Sequence, residues 1–247
     1  FPVGTLASGL PGWQEYAAFR DDGLATPLPS DGDPPALLAV FGATGLTAYI
    51  GLLDIAKISE GETVVVSAAA GATGSLAAQI AKLHGCRVIG IAGTDEKCAW
   101  LVDDLGLDGA INYRTDDVKA RLKELCPERV DVYFDNVGGP VLDAVLGGIA
   151  LRGRVVLCGA ISIYNEDRRP PGPANYVNLI QRRGRMEGFL ALDHWDRLDE
   201  VNARLGEWVA TGQLRYRTHV FEGLSQAPKA LNAMFTGDNI GKIVIRL

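Results

Sequence analysis

Residues Thr63 to Lys82, TVVVSAAAGATGSLAAQIAK, limit what this chain can fold into more than any other stretch. Thr63-Val64-Val65-Val66 is a short β-branched run, the pattern of a strand buried on both faces of a parallel sheet. A turn of small residues follows, and Ser75 to Lys82 then has a helical pattern. That is the layout of a dinucleotide-binding βαβ unit, in which backbone N–H groups and a helix N-terminus receive a pyrophosphate. Against the fingerprint G-x-G-x-x-G the chain supplies Ala69, Gly71 and Gly74. The glycine that lets backbone approach the phosphates and the one that lets helix and strand pack closely are kept; the first has become alanine. Gly and Ala clusters also fill ordinary tight turns, so the loop alone is a weak signal. A second strand, Arg87 to Ala92, supplies the context it needs.

From about Leu37 the chain alternates helix and strand. The pattern predicts a helix over Leu37 to Lys57, strand Thr63 to Ser67, strand Arg87 to Ala92, helix Asp95 to Leu105 and strand Gly109 to Asn112. Helix Asp117 to Cys126, strand Val130 to Asn136, helix Pro140 to Ala150 and strand Gly153 to Cys158 continue it. A Pro-rich loop at Arg168 to Pro173 precedes helix Tyr176 to Arg183, strand Arg185 to Leu190 and an amphipathic helix over Trp195 to Thr211. This rhythm argues for an α/β fold with a doubly wound parallel sheet of the Rossmann type. Residues 1–30 and 214–247 break it, the latter reading as strand Arg215 to Phe221, helix Leu224 to Thr236 and strand Lys242 to Leu247. The expected division is 1–30, 31–213 for the nucleotide-binding domain, and 214–247.

Composition narrows the partners. The 247 residues carry a net charge of −6, with 24 basic and 30 acidic side chains and no basic block. Nucleic acid is therefore not an expected partner. Two uncharged windows, Pro34 to Leu53 and Thr63 to Ala81, are long enough to suggest a membrane span, but buried elements of an α/β domain explain both better. With no charged-then-apolar leader in the sequence, a cytoplasmic location is expected. Cys86, Cys98, Cys126 and Cys158 lie far apart without C-x-x-C spacing, and His84, His194 and His219 are scattered, so no metal site is expected.

Chemistry should gather at the carboxyl ends of the strands, where ligands sit in doubly wound sheets. The second strand ends Ile91-Ala92-Gly93-Thr94 without the carboxylate that usually holds the ribose hydroxyls of NAD. Asp95 and Glu96 follow, and then Lys97. This favours a 2′-phosphate and hence NADP, although Asp95 and Glu96 also suit a helix N-terminus and Lys97 a solvated surface. Asn136 falls at the tip of the strand Val130 to Asn136, as ligand residue or turn cap. Cys158-Gly159-Ala160-Ile161-Ser162-Ile163-Tyr164 brings a hydroxyl, a phenol and glycine backbone to the same edge, with Tyr164 a site phenol or a packing aromatic.

Five motifs in order, AAAGATGS at Ala68 to Ser75, FDNVGG at Phe134 to Gly139, CGAISIYN at Cys158 to Asn165, RMEGF at Arg185 to Phe189 and GDNIGK at Gly237 to Lys242, carry a family resemblance. With Gly45-Leu46-Thr47-Ala48-Tyr49, they resemble the zinc-free medium-chain dehydrogenase/reductase superfamily, in the branch of prostaglandin reductases, leukotriene dehydrogenases, curcumin-reductase-like and plant alkenal reductases. The resemblance runs from about Val3 to Leu247. It implies that Gly71, Ala72, Thr73 and Gly74 cradle the pyrophosphate of NADP(H), and that Lys97 contacts its 2′-phosphate with help from Tyr113. Asn136, Cys158, Gly159, Ala160, Ser162 and Tyr164 would line the nicotinamide ribose side, and Phe189, Leu190 and Asn239 the nicotinamide end. Tyr164 is the implied catalytic hydrogen-bond donor and Tyr176 a substrate-pocket residue. The implied reaction is NADPH-dependent reduction of the carbon–carbon double bond of an α,β-unsaturated ketone or aldehyde, with quinone reduction or cofactor binding without full activity as alternatives. The resemblance also implies that residues 1–30 and 214–247 border an incomplete GroES-like catalytic domain, and that a homodimer forms through Arg185 to Leu190.

Overall fold

The computed structural model describes residues 2–9, 12–18, 26–27, 34–168 and 170–247. The expected division at residue 30 falls outside them, as does Arg169 of the Pro-rich loop. Near the start, β1 (Ala7–Ser8) pairs antiparallel with β2 (Thr26–Pro27). Helices α1 (Pro34–Ala39) and α2 (Ala43–Ile50) follow, and α2 widens into a π-helical stretch over Gly51–Ala56. The single helix expected over Leu37 to Lys57 is thus broken. Gly42 at the break has φ +73°, and its N–H donates to Asn202 Oδ1 at 3.2 Å instead of to a helical carbonyl.

The central units come next: β3 (Thr63–Ser67), α3 (Ala72–Leu83), β4 (Arg87–Ala92), α4 (Asp95–Ala99), β5 (Gly109–Asn112), α5 (Val118–Leu125), β6 (Val130–Asp135), α6 (Gly139–Gly147), β7 (Ile149–Leu157), α7 (Asn178–Arg182) and β8 (Arg185–Gly188). All six strands run parallel, in the spatial order β5-β4-β3-β6-β7-β8. This is the doubly wound Rossmann arrangement, which reverses direction between β3 and β6 and opens a crevice at their carboxyl ends.

Burial follows the strand period. Val64 and Val66 face a core with Leu46, Ile50, Leu76, Ile80 and Phe134, whereas Val65 faces the opposite one with Ile89, Tyr133, Val145 and Leu146. Every residue of β3 is buried, as a strand covered by helices on both faces requires. The two uncharged windows are accordingly packed elements of this body. Among the described residues no helix is long and apolar enough to cross a membrane.

The final segment forms α8 (Leu198–Ala210), β9 (Thr218–Glu222), α9 (Ala227–Thr236) and β10 (Lys242–Arg246). Strands β9 and β10 pair parallel in a separate two-stranded sheet. Ties to α3 and to the glycine turn are among those that hold it to the main body. Gln79 of α3 exchanges hydrogen bonds with the backbone of Arg215, at 2.9 and 2.8 Å. The Gly241 N–H donates to Ala70 O at 2.8 Å, and Gly71 and Gly241 form a parallel bridge.

Candidate active site at the strand tips

The turn between β3 and α3 leaves no room for side chains. A Cβ on Gly74 would sit 2.2 Å from Ala68 O, and one on Gly71 would sit 3.1 Å from the same oxygen. Ala68 itself adopts φ +46°, a left-handed conformation rare for alanine and the kind of local strain that gathers at functional sites. No side chain caps α3 at Gly71. Its first-turn N–H groups, those of Ala72, Thr73 and Gly74, are the donors a helix end offers an anion.

One buried network joins this turn to the tip of β6. Asp135 Oδ1 accepts from Tyr133 Oη at 2.8 Å, from Ser67 Oγ at 3.2 Å and from the N–H groups of Val137 and Gly138, both at 2.9 Å. The Asn136 N–H donates to Ser67 Oγ at 2.9 Å, and its amide Nδ2 donates to Ser67 O at 2.7 Å. Burial, reinforced by the Asp135 charge, pushes the Tyr133 phenol well above its ordinary pKa. Asp135 Oδ2 is buried without a hydrogen-bond partner among the described residues.

The loop after β7 is laced onto the same tip. The N–H groups of Cys158 and Gly159 donate to Asp135 O, that of Ile161 to Asn136 O and that of Ser162 to Val137 O. Ser162 Oγ also donates to Val137 O, at 2.6 Å. Tyr164, 61% exposed, accepts from the Ala160 N–H at 3.0 Å through its phenol oxygen. That bond uses a lone pair and leaves the hydroxyl hydrogen free to donate outward. The Cys158 thiol is pushed up to about 12, first by burial and then by Asp135.

At the tip of β4, Thr94 caps α4 by accepting from the Lys97 N–H at 3.3 Å. Asp95 Oδ1 accepts from Asn112 Nδ2 at 2.7 Å, which ties it to the tip of β5. Lys97 is only 8% exposed, and its Nζ donates to Gly237 O at 2.7 Å. Burial, then the positive charge of Arg114, lowers its pKa. Arg114 donates to Thr236 O and lies 5.8 Å from the centre of the Tyr113 ring. The Tyr113 ring in turn covers Gly93, where a Cβ would meet it at 3.0 Å. A cavity of about 660 Å³ opens here, with Thr94, Glu96, Lys97, Arg217, His219 and Asp238 among the residues that line it.

The other expected residues spread outward. Phe189 packs over Gly51, where a Cβ would sit 2.9 Å from its ring. Leu190 is exposed. Asn239 Nδ2 donates to Gly241 O at 2.9 Å, next to the glycine turn. Tyr176, 56% exposed, lies apart from the strand-tip network, on a segment pinned to α6 through the Asn175–Asp143 hydrogen bonds.

A family profile described as "Zinc-binding dehydrogenase" matches residues 72–207. The chain is 45% identical to the putative NADP-dependent oxidoreductase YfmJ of Bacillus subtilis (strain 168), over 99% of this chain and 73% of that protein. It is 39% identical to the NADPH-dependent curcumin reductase of Escherichia coli (strain K12), over 100% of this chain and 73% of that protein. The crystal structure of CurA in complex with NADPH from Vibrio vulnificus superposes with a TM-score of 0.89 at 42% identity, covering 95% of this chain and 71% of that one. The chain belongs to the zinc-free medium-chain dehydrogenase/reductase family, in its branch of NADP-dependent double-bond reductases.

Within this medium-chain dehydrogenase/reductase fold, the glycine turn and the buried Lys97 at the β4 tip fit a dinucleotide with a 2′-phosphate. Among the described residues no three His, Cys, Asp or Glu side chains gather in a way that could hold a metal ion. Sequence reasoning assigned no role to Ser67, Asp135, Arg114 or Lys242. Asp135 stood inside the quoted FDNVGG motif; its strand-tip position beside Asn136 was the available signal.

Proposed function

We propose that this NADP-dependent oxidoreductase reduces the carbon–carbon double bond of α,β-unsaturated ketones and aldehydes. The observation that carries this reading is the convergence of the glycine turn, Asn136 and the Cys158 to Tyr164 loop on one crevice through the Ser67–Asp135 network. NADPH, when bound, supplies the hydride that adds to the β-carbon. Gly71, Ala72, Thr73 and Gly74 hold its pyrophosphate by backbone donors, and Lys97 and Tyr113 take the 2′-phosphate. Asn136 and the residues Cys158, Gly159, Ala160 and Ser162 shape the wall along the nicotinamide ribose, with Phe189, Leu190 and Asn239 at the nicotinamide end. Tyr164 has its phenol hydrogen available and donates it, directly or through a ribose hydroxyl, to the carbonyl oxygen, where negative charge grows as the β-carbon accepts hydride. A proton from solvent then reaches the α-carbon and completes the saturated product. Tyr176 contributes at the outer edge of the substrate pocket.

The same reading includes a small-molecule enone or enal as the partner, a cytoplasmic location and a homodimer. Strand β8 supports the homodimer, since it is the last strand of the six-stranded sheet and all four of its residues are exposed. Activity is tested by following NADPH consumption with an enone, an alkenal and a quinone. The expected result is turnover of the first two; turnover of the quinone alone would overturn the proposal.

A further inference from the structure

Lys242 is a cation for which the described residues provide no ion-pair partner. Its backbone opens β10 one residue after Gly241, whose N–H is bonded to Ala70 O and which bridges Gly71. Its side chain runs from there to the first turn of α2, where Nζ donates to Thr44 Oγ1 at 3.3 Å. Two of its three N–H donors have no partner among the described residues, and no carboxylate there lies within ion-pair distance. Burial alone lowers its pKa, with no charged group contributing. Lys82, by contrast, pairs with Asp108 at 2.9 Å, and Lys97 lies beside Arg114, Asp238 and Glu96. A partly buried ammonium with unused donors is costly unless a ligand supplies the missing negative charge.

We propose that Lys242 is a second cation of the cofactor site, which binds the pyrophosphate at the glycine turn together with the α3 N-terminus. The inference rests on the NADP(H) reading and adds a division of labour to it. Lys97 reads the 2′-phosphate, which only NADP carries, while Lys242 neutralises the diphosphate common to NAD and NADP. Thr44 holds the ammonium in place, and the Gly71–Gly241 bridge fixes the start of its side chain against the loop it serves.

Dissociation constants of NADPH and NADH for the wild type and for Lys242→Met, Lys242→Arg and Lys97→Ala test this, together with melting curves taken without cofactor. Loss of one charge-assisted bond predicts that Lys242→Met weakens both nucleotides by the same factor, roughly tenfold or more, and that Lys242→Arg restores most of it. Lys97→Ala weakens NADPH alone. Equal affinities for wild type and Lys242→Met, or a loss confined to NADPH, would overturn the assignment. Failure of the wild type to bind either nucleotide would instead overturn the cofactor reading itself. Wild-type protein gives an independent measurement, acetylation of Lys242 by an amine-reactive ester read by peptide mass spectrometry. ADP is expected to protect Lys242 and adenosine is not; no protection by ADP, or equal protection by both, contradicts the proposal.

Discussion

Cys158 lies within the loop proposed to wall the nicotinamide side, yet its surroundings keep it chemically quiet. Burial and the neighbouring Asp135 raise its thiol to about 12, and burial raises Cys86, Cys98 and Cys126 to about 11. The thiolate is the reactive form, so at neutral pH these side chains are inert packing groups. Their pKa values also couple folding to pH. A group whose pKa is raised by folding gives stability that is complete below its unfolded value and is lost as pH rises through its folded one. The unfolding midpoint in urea is therefore expected to fall as pH climbs past about 9, and Cys158→Ala should flatten that decline. A midpoint unchanged up to pH 11, or rapid alkylation of native Cys158 at pH 8, would contradict this account. Tyr164 shows the opposite use of exposure: the Ala160 N–H fixes its oxygen, and its hydroxyl hydrogen remains available to donate.

At the scale of elements, β3, β4 and β5 occupy Thr63–Ser67, Arg87–Ala92 and Gly109–Asn112, the bounds their apolar runs predict. The helix boundaries deviate where a distant partner intervenes. The break at Gly42 answers to Asn202, and the helix expected from Trp195 begins as a 3₁₀ stretch with non-helical backbone at His194. The same logic divides the site. The glycine turn at Gly71 and Gly74 was legible because local sterics demand it, whereas spacing left Lys97 open between a phosphate contact and a solvated surface, and the structure buries it. The Ser67–Asp135 bond joins residues 68 apart and the Lys242–Thr44 bond residues 198 apart, separations for which no local pattern gives a sign. Edge strand β8 carries the dimer proposal. An edge unpaired among the described residues and carrying exposed Met186, with Ile180 of α7 also exposed, is a template for a second copy. Light scattering should give twice the chain mass, and Met186→Lys with Ile180→Lys should reduce it to the mass of one chain. A wild-type mass equal to one chain would refute pairing.

For the molecule as a whole, the two sheets meet at the turn where the cofactor is proposed to bind. The β9–β10 pair is fastened to α3 by Gln79 and to the glycine turn by Gly241, while Lys97 and Arg114 donate to the carbonyls that end α9. Residues proposed to recognise a nucleotide are thus also the residues that dock the final segment onto the Rossmann body. The central claim concerns what this assembly does with its hydride, and isotope placement tests it most directly. NADPH deuterated on the transferable position of its nicotinamide, given with an enone, is predicted to leave deuterium on the β-carbon of a saturated ketone, with hydrogen from water on the α-carbon. Deuterium on the carbonyl carbon of an allylic alcohol, or an unreacted enone beside a reduced quinone, would contradict the account.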